Sequence, residues 1–363
     1  MARYRSLGDL DWPLLVVTVA ICAMGVLQIY SATLGTVWAD AWWKQTLYVF
    51  AGLLLMWLAA SIDYHTLMGQ AFIYYLLALA ALVVVLLFGK EVFGGRRWIP
   101  LAAGFHLQVS EFVKTVLILL VARYVTDLKG DRLETRDLAK LTGLVALPML
   151  LVMKQPDLGT ALTYLPILAM GVFLAGLRWQ HVVVIALVAL LVLPASWYLL
   201  KDYQKARLVT FLDPGRDPRG SGYQVIQSQI AVGAGGMWGK GVTQGSQTQL
   251  RFLPVPHTDF IFSAFAEEHG FLGVVVMLGL YFLLLMQVVQ NAQMAPDRAG
   301  MLISMGVCAL LLFHLLVNIG MVVGRMPVTG IPLPLMSYGG SSILSVFLML
   351  GLVNSVRLRR FVS

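Results

Sequence analysis

Between His257 and Gly270 the chain reads HTDFIFSAFAEEHG, an aspartate and two glutamates set among phenylalanine, isoleucine and alanine. Ionised carboxylates are costly in hydrocarbon, so an acid in a membrane segment marks a functional site by default. Asp259 follows the longest polar loop and opens an apolar run, a placement that suggests chemistry at a membrane surface. First-turn capping, with Thr258 as the N-cap, is the plain alternative. On a regular helix Glu267 lies about 80° round from Asp259 and ~12 Å deeper, facing the interior, while Glu268 points to the far side.

A second charged pair opens another apolar run: Ser110, Glu111 and Lys114 in VSEFVK. At i and i+3 the acid and the lysine can pair. A structural pair with a snorkelling lysine and a polar cavity open to the outer face both remain open. GGRRWI supplies Arg96, Arg97 and Trp98; guanidinium suits pyrophosphate through bidentate contacts, with interfacial anchoring as the alternative. QPDLGT places Asp157 in a first helical turn, where capping is again the plain reading. GAGGMWGKG, which carries Lys240, is not a phosphate-binding P-loop: Ala234 stands where glycine is required and Gly241 follows the lysine. Its glycines serve either close approach to a bulky ligand or simple turns. GRMPVTGIPLPLMSYGGSS, with three prolines before Ser337, cannot be a regular helix; such backbone survives near a membrane only when buried in protein or lining a cavity.

The elements that must position these residues are membrane helices. Of the 363 residues 59% are hydrophobic and 12% charged, with a mean hydropathy of +0.81, which excludes an ordinary soluble domain. Ten apolar runs of spanning length are read at 12–33, 44–61, 70–88, 108–127, 138–153, 157–176, 180–200, 258–290, 299–323 and 336–356. The fold class is an all-α polytopic membrane protein, a single domain over 1–363 with one large external loop at 201–256 between spans seven and eight. Asp9 and Asp11 flank the first span, and no small-residue cleavage site follows it, so it is retained. Cys22 and Cys308 both fall in apolar runs and read as small core residues.

Lysine and arginine set the orientation. With the N-terminus inside, twelve basic residues (among them Arg3, Arg5, Lys129 and Arg132) lie on the inner side and five in the short outer loops, so both termini are cytoplasmic. The external loop carries seven basic residues against Asp202, Asp213 and Asp217, a balance of +4 that invites an anionic partner, either lipid headgroups or a phosphorylated substrate. Within it, Val225, Ile226, Ile230 and Val232 form one short amphipathic helix ended by Gly233. The polar elements gather on the outer side, which points to a pocket at the outer leaflet.

These motifs resemble the SEDS family (RodA/FtsW/SpoVE) of bacterial cell-wall proteins. The likeness runs through YSA at 30–32, GRRWI at 95–99, SEFVK at 110–114, QPDLGTAL at 155–162, DPRGSGYQVIQSQIAVGAGG at 217–236, FLPVPHTDFIFSAFAEEHG at 252–270 and NIGMVVGRMPVTGIPLPLMSYGGSS at 318–342. GSQTQL before FLP and the GMVVGRMPVTGIPLP stretch look like its RodA branch. Val255 departs mildly, standing where the family commonly has an acidic or polar residue. The resemblance implies a peptidoglycan glycosyltransferase that polymerises lipid II at the outer face of the cytoplasmic membrane. It maps the family's essential aspartate onto Asp259, its charged pair onto Glu111 and Lys114, and its arginine before tryptophan onto Arg97. Asp157, His257, Thr258, Glu267, Lys240 and Ser337 are the supporting residues.

An alcohol nucleophile needs a general base and a pyrophosphate leaving group needs positive charge, from Arg97, Lys114 or a divalent cation, Mg or Mn. The resemblance further implies a class B penicillin-binding transpeptidase as partner, with MreC, MreD and RodZ in the elongation machinery; no nucleic-acid partner is expected. The competing readings are a lipid II flippase, a division-type FtsW polymerase and a non-catalytic scaffold. A transporter should spread polar residues through the midplane, whereas here they cluster at one side.

Overall fold

The computed structural model describes residues 11–92, 95–100, 106–128, 133–216 and 220–360. Arg3, Arg5, Lys129, Arg132, Asp217 and Arg219, which are counted in the charge reading, and Asp9, read as a flank of the first span, lie outside the described residues.

Helix α1 (Trp12–Thr33) starts at Asp11, whose Oδ1 accepts from the Leu14 amide at 3.2 Å, with Pro13 in the first turn, where no amide donor is needed. The other Asp11 oxygen takes Nδ2 of Asn291 at 2.6 Å and Nη1 of Arg357 at 3.0 Å, pinning the start of the described chain to its last helix. Helices α2 (Ala41–Ser61), α3 (Tyr64–Gly69) and α4 (Ala71–Phe88) follow. Next comes a small antiparallel sheet in the order β1 (Lys90–Val92), β2 (Gly95–Pro100), β3 (His106–Leu107), with Ile99 opposite Leu107. The all-helical reading did not foresee this sheet, which carries GRRWI on β2. Helices α5 (Val109–Thr126), α6 (Thr135–Lys154), α7 (Leu158–Leu162), α8 (Leu165–Leu174) and α9 (Trp179–Leu199) complete the first half.

Residues 201–256, expected as one external loop, hold more than the single short helix expected. They form α10 (Asp202–Leu212), α11 (Ser221–Ala234) and α12 (Ser246–Gln249). Helix α11 covers the amphipathic stretch read from the sequence and runs through Gly233 to Ala234. The chain then forms α13 (Ile261–Gln293), α14 (Arg298–Val322) and α15 (Gly340–Leu358).

Six described helices are long and apolar enough to span a membrane: α1, α2, α4, α13, α14 and α15. The protein is a multi-span membrane protein, but length and hydropathy do not establish the expected ten spans. Glu111, Lys114 and Arg123 lower the apolarity of α5, Arg136 and Lys140 that of α6, and the sixth run is broken into α7 and α8 around Thr163 and Tyr164. The most enclosed spans are α15 and α14, with 72% and 61% of their apolar windows buried, against 22% for α4. On α4, Phe72, Ile73, Leu76, Leu77 and Leu87 face outward, as hydrocarbon solvent requires. Cys22 and Cys308 are free thiols buried in the helical core.

The excess length of α13 has a local cause. Thirty-three residues would run about 50 Å, well beyond a hydrocarbon core of roughly 30 Å. The helix is interrupted at Gly270, with φ 65° and ψ −167°. A loop strand from the glycine-rich segment replaces the missing helical hydrogen bonds. Lys240 N and Gly241 N donate to the carbonyls of Glu267 and Glu268 at 3.0 and 2.9 Å, while Phe271 N and Leu272 N donate to Gly236 O and Met237 O at 2.8 and 3.2 Å. Residues 235–238 form a turn, one of the two roles expected of these glycines, and Gly239 and Gly241, with φ 79° and 96°, let the backbone that follows splint the break.

Candidate active site

Asp259 lies just before α13, not in its first turn. The N-cap position belongs to Phe260 and no side chain caps the helix, so capping by Thr258 or Asp259 does not occur. The Thr258 hydroxyl instead lies 3.5 Å from Val255 O. What holds Asp259 is its backbone. Three consecutive carbonyls each accept from a different donor: His257 O from Tyr338 N at 2.9 Å, Thr258 O from Ser337 Oγ at 2.8 Å, and Asp259 O from Asn318 Nδ2 at 3.0 Å. The proline-rich segment between α14 and α15, together with Asn318 of α14, therefore forms a cradle for Asp259, which answers why an irregular stretch is kept there.

The Asp259 carboxyl is partly buried, and among the described residues none donates a hydrogen bond to it. Desolvation pushes it up to about 6; the guanidinium of Arg207 opposes this, the Asp157 carboxylate adds to it and Arg97 opposes it again. Arg97, Asp157 and Arg207 thus share the electrostatic surroundings of Asp259. Asp157 caps α7 as expected, its Oδ1 accepting from Thr160 N at 3.1 Å. Its Oδ2 also accepts from Thr160 Oγ1 at 2.9 Å and Gln108 Nε2 at 3.0 Å, and lies 4.0 Å from Arg97 Nε. Arg97 reaches from β2 to donate to the carbonyls of Gln155 and Pro156, which fixes its guanidinium beside the acid.

Arg207 was not singled out by the sequence, because seven basic residues in one loop look alike. It projects from α10, donates to Val328 O at 3.1 Å, and lines a cavity of about 270 Å³ with Thr210, Phe211, Gln224, Val225 and Val328. The cavity joins one cation to a mainly apolar wall.

His257 is buried between Trp38 and Tyr338, with ring centroids at 5.5 and 5.9 Å, and burial pushes its imidazole down to about 4. It is neutral at physiological pH and supplies an aromatic wall, not a cation.

Glu111 and Lys114 form a pair of 2.8 Å with side chains 4% and 2% exposed. Lys114 does not snorkel, and the space beside the pair is about 10 Å³, room for one water at most. Among the described residues Lys114 is held against Glu111 and His314 and borders only this small space.

Glu267 and Lys240 meet away from the Asp259 cradle. Glu267 is fully buried; it pairs with Lys240 Nζ at 2.9 Å and accepts from the amides of Gln247 and Thr248 at 2.8 and 3.1 Å and from Thr248 Oγ1 at 3.0 Å. The geometric estimate from a regular helix does not apply, since Asp259 is outside it. Glu268 turns to α1, taking Ser31 Oγ at 2.5 Å and Gln28 Nε2 at 3.2 Å. The two acids clamp the segment 240–248 and α1 onto α13. Without Glu267 the amides of Gln247 and Thr248 lose their acceptor, at about 1–3 kcal/mol for each group left unsatisfied. Glu267→Ala should therefore lower the melting temperature and speed proteolysis within 236–252; unchanged protease resistance there would contradict the clamp.

The family described as "Cell cycle protein", which groups FtsW, RodA and SpoVE, matches residues 12–360. The chain belongs to this family. It is 37% identical to the peptidoglycan glycosyltransferase MrdB of Escherichia coli strain K12, over 97% of this chain and 94% of that protein. A solved structure titled "Structural coordination of polymerization and crosslinking by a peptidoglycan synthase complex" matches with a TM-score of 0.84 and 37% identity, covering 98% of this chain and 99% of the other. The crystal structure of Thermus thermophilus RodA matches with a TM-score of 0.72 and 31% identity, covering 97% and 98%. The chain is thus a SEDS member from a family of peptidoglycan glycosyltransferases.

Proposed function

We propose that the protein polymerises lipid II into β-1,4-linked glycan on the outer face of the cytoplasmic membrane, in the elongation branch of its family, with Asp259 as general base. The observation that carries this reading is a partly buried carboxyl that desolvation pushes up to about 6 against the opposing charges of Arg207 and Arg97. At pH 7 such a group is about nine-tenths ionised yet basic enough to take a proton, close to the optimum for general-base work. The 4-hydroxyl of the acceptor's GlcNAc attacks C1 of the donor's MurNAc. The C1–O bond to pyrophosphate breaks with inversion from α to β, the hydroxyl proton passes to Asp259, and undecaprenyl pyrophosphate leaves. Arg97 and Arg207 neutralise the developing charge, each pre-held by a backbone carbonyl, so little reorganisation is needed. The GSQTQL and GMVVGRMPVTGIPLP segments support the elongation branch.

The described residues contain no group of three His, Cys, Asp or Glu side chains able to hold a metal ion, and both Asp157 oxygens already accept hydrogen bonds. A Mg or Mn ion would therefore be held by one or two carboxylates together with the substrate's pyrophosphate oxygens and water, and would add positive charge at the leaving group. Both termini are placed in the cytoplasm on the basic-residue asymmetry. The synthase complex named for the structural neighbour supports a class B penicillin-binding transpeptidase as partner, and the RodA-like motifs extend this to MreC, MreD and RodZ.

The test is purified protein with lipid II in detergent, wild type beside Asp259→Ala. Strands should form with the wild type alone. Equal strands from both would remove Asp259 as base; no strands from either, even with the transpeptidase present, would remove the polymerase reading.

A further inference from the structure

The enclosed Glu111–Lys114 pair does not touch the space around Asp259, yet it is linked to it through one histidine. His314 on α14 is 4% exposed; its Nδ1 lies 3.1 Å from Pro332 O and its Nε2 lies 3.3 Å from Lys114 Nζ. A carbonyl only accepts and an ammonium only donates, so the partners fix His314 as the neutral tautomer with its proton on Nδ1. One turn further, Asn318 Nδ2 donates to both Ile331 O at 2.8 Å and Asp259 O at 3.0 Å.

We propose that His314 and Asn318 are positioning residues for Asp259, and that the Glu111–Lys114 pair acts on the site through His314 rather than by contact with substrate. The inference rests on the reading of Asp259 as base. The segment that forms the cradle contains Pro327, Pro332 and Pro334, which have no amide donor, so it cannot fix itself by a regular ladder. Side chains do the fixing: Asn318 holds carbonyl 331, His314 holds 332, and Tyr281 OH holds 334 at 2.5 Å. The same segment then presents Ser337 Oγ and Tyr338 N to carbonyls 258 and 257. The path from the ion pair to the base is continuous: Glu111, Lys114, His314, the proline segment, and the backbone of residues 257–259. Ser345 Oγ, 3.4 Å from Glu111 Oε2, ties α15 to the far end. A base displaced by about 1 Å loses on the order of 10²-fold in rate while the binding surfaces stay in place.

The experiment measures kcat and KM for lipid II polymerisation, with a thermal melt of every variant. His314→Leu should lower kcat by about 10- to 100-fold with KM within about twofold. His314→Gln, whose amide offers both a donor and an acceptor, should keep kcat within about threefold of wild type. Should the leucine variant not fold, His314→Asn, too short to span both partners, takes its place and should behave as leucine does. Lys114→Met should resemble His314→Leu, and the double variant should be no slower than the slower single one, because both act along one path. Wild-type kcat in His314→Leu, equal impairment in His314→Gln, a rise in KM at constant kcat, or multiplicative losses in the double variant would each overturn the inference. Asp259→Asn run alongside separates the two readings: its retained activity removes the base assignment, whereas an inactive Asp259→Asn with a normal His314→Leu removes only the positioning path.

Discussion

Asp259→Asn is expected to be nearly inactive and, at neutral pH, more stable than the wild type. General-base catalysis is worth about 10²–10⁴ in rate, so strand formation should fall by roughly 10³-fold. The stability gain follows from the same desolvation. Desolvation pushes the Asp259 carboxyl up to about 6 in the folded protein, from 3.8 for an ordinary aspartate. Between those values the folded state binds more protons than the unfolded, so stability falls as pH rises through that window and stays reduced above it. The full shift would be about 3 kcal/mol; with the side chain partly solvated, ~1–2 kcal/mol is expected. The asparagine variant should therefore melt higher than wild type at about pH 7 and level with it at about pH 4. A variant that loses activity and also melts lower would mean that the aspartate supports the fold.

The other large effect is expected at the break in α13. At Gly270 the left-handed φ excludes a side chain, and an added Cβ would lie 2.2 Å from Gly239 N and 2.7 Å from Trp238 C, both backbone atoms that cannot move aside. Gly239 is its counterpart, with φ 79° and a Cβ position 2.2 Å from Glu268 O. Gly270→Ala should lose on the order of 4 kcal/mol and about 10 °C in melting temperature, or fail to accumulate as folded protein. Gly279 on the same helix is the control, since nothing lies within 4 Å of its Cβ position; Gly279→Ala should melt as wild type or slightly higher. Matching melts for Gly270→Ala and Gly279→Ala would show that the splint carries no stability.

The sequence made Asp259 legible because a carboxylate beside an apolar run has few bland explanations, and it made the membrane class legible because apolar length is a local property. The residues around Asp259 were harder to see for physical reasons. Arg207 is one of seven basic residues in its loop, and only folding of α10 against Val328 selects it. His314 and Asn318 sit in an apolar run and read as core; their role depends on carbonyls of a segment that prolines leave without a regular pattern. The glycine-rich segment was read as a turn or a ligand loop because its true partner, the break at Gly270, lies some thirty residues away in the chain. Lys114 was read as an outer cation because spacing reveals its pairing with Glu111 but not the closure of α14 and α15 over it.

The central claim, that a desolvated Asp259 carboxylate takes the acceptor's proton, is tested most directly by the pH dependence of kcat for lipid II polymerisation between about pH 4.5 and 8. The expected profile rises about tenfold per pH unit below about 6 and is level above it, and the residual activity of Asp259→Asn should lack that acid limb. A wild-type profile flat from pH 4.5 to 8, or an acid limb that persists unchanged in Asp259→Asn, would contradict it.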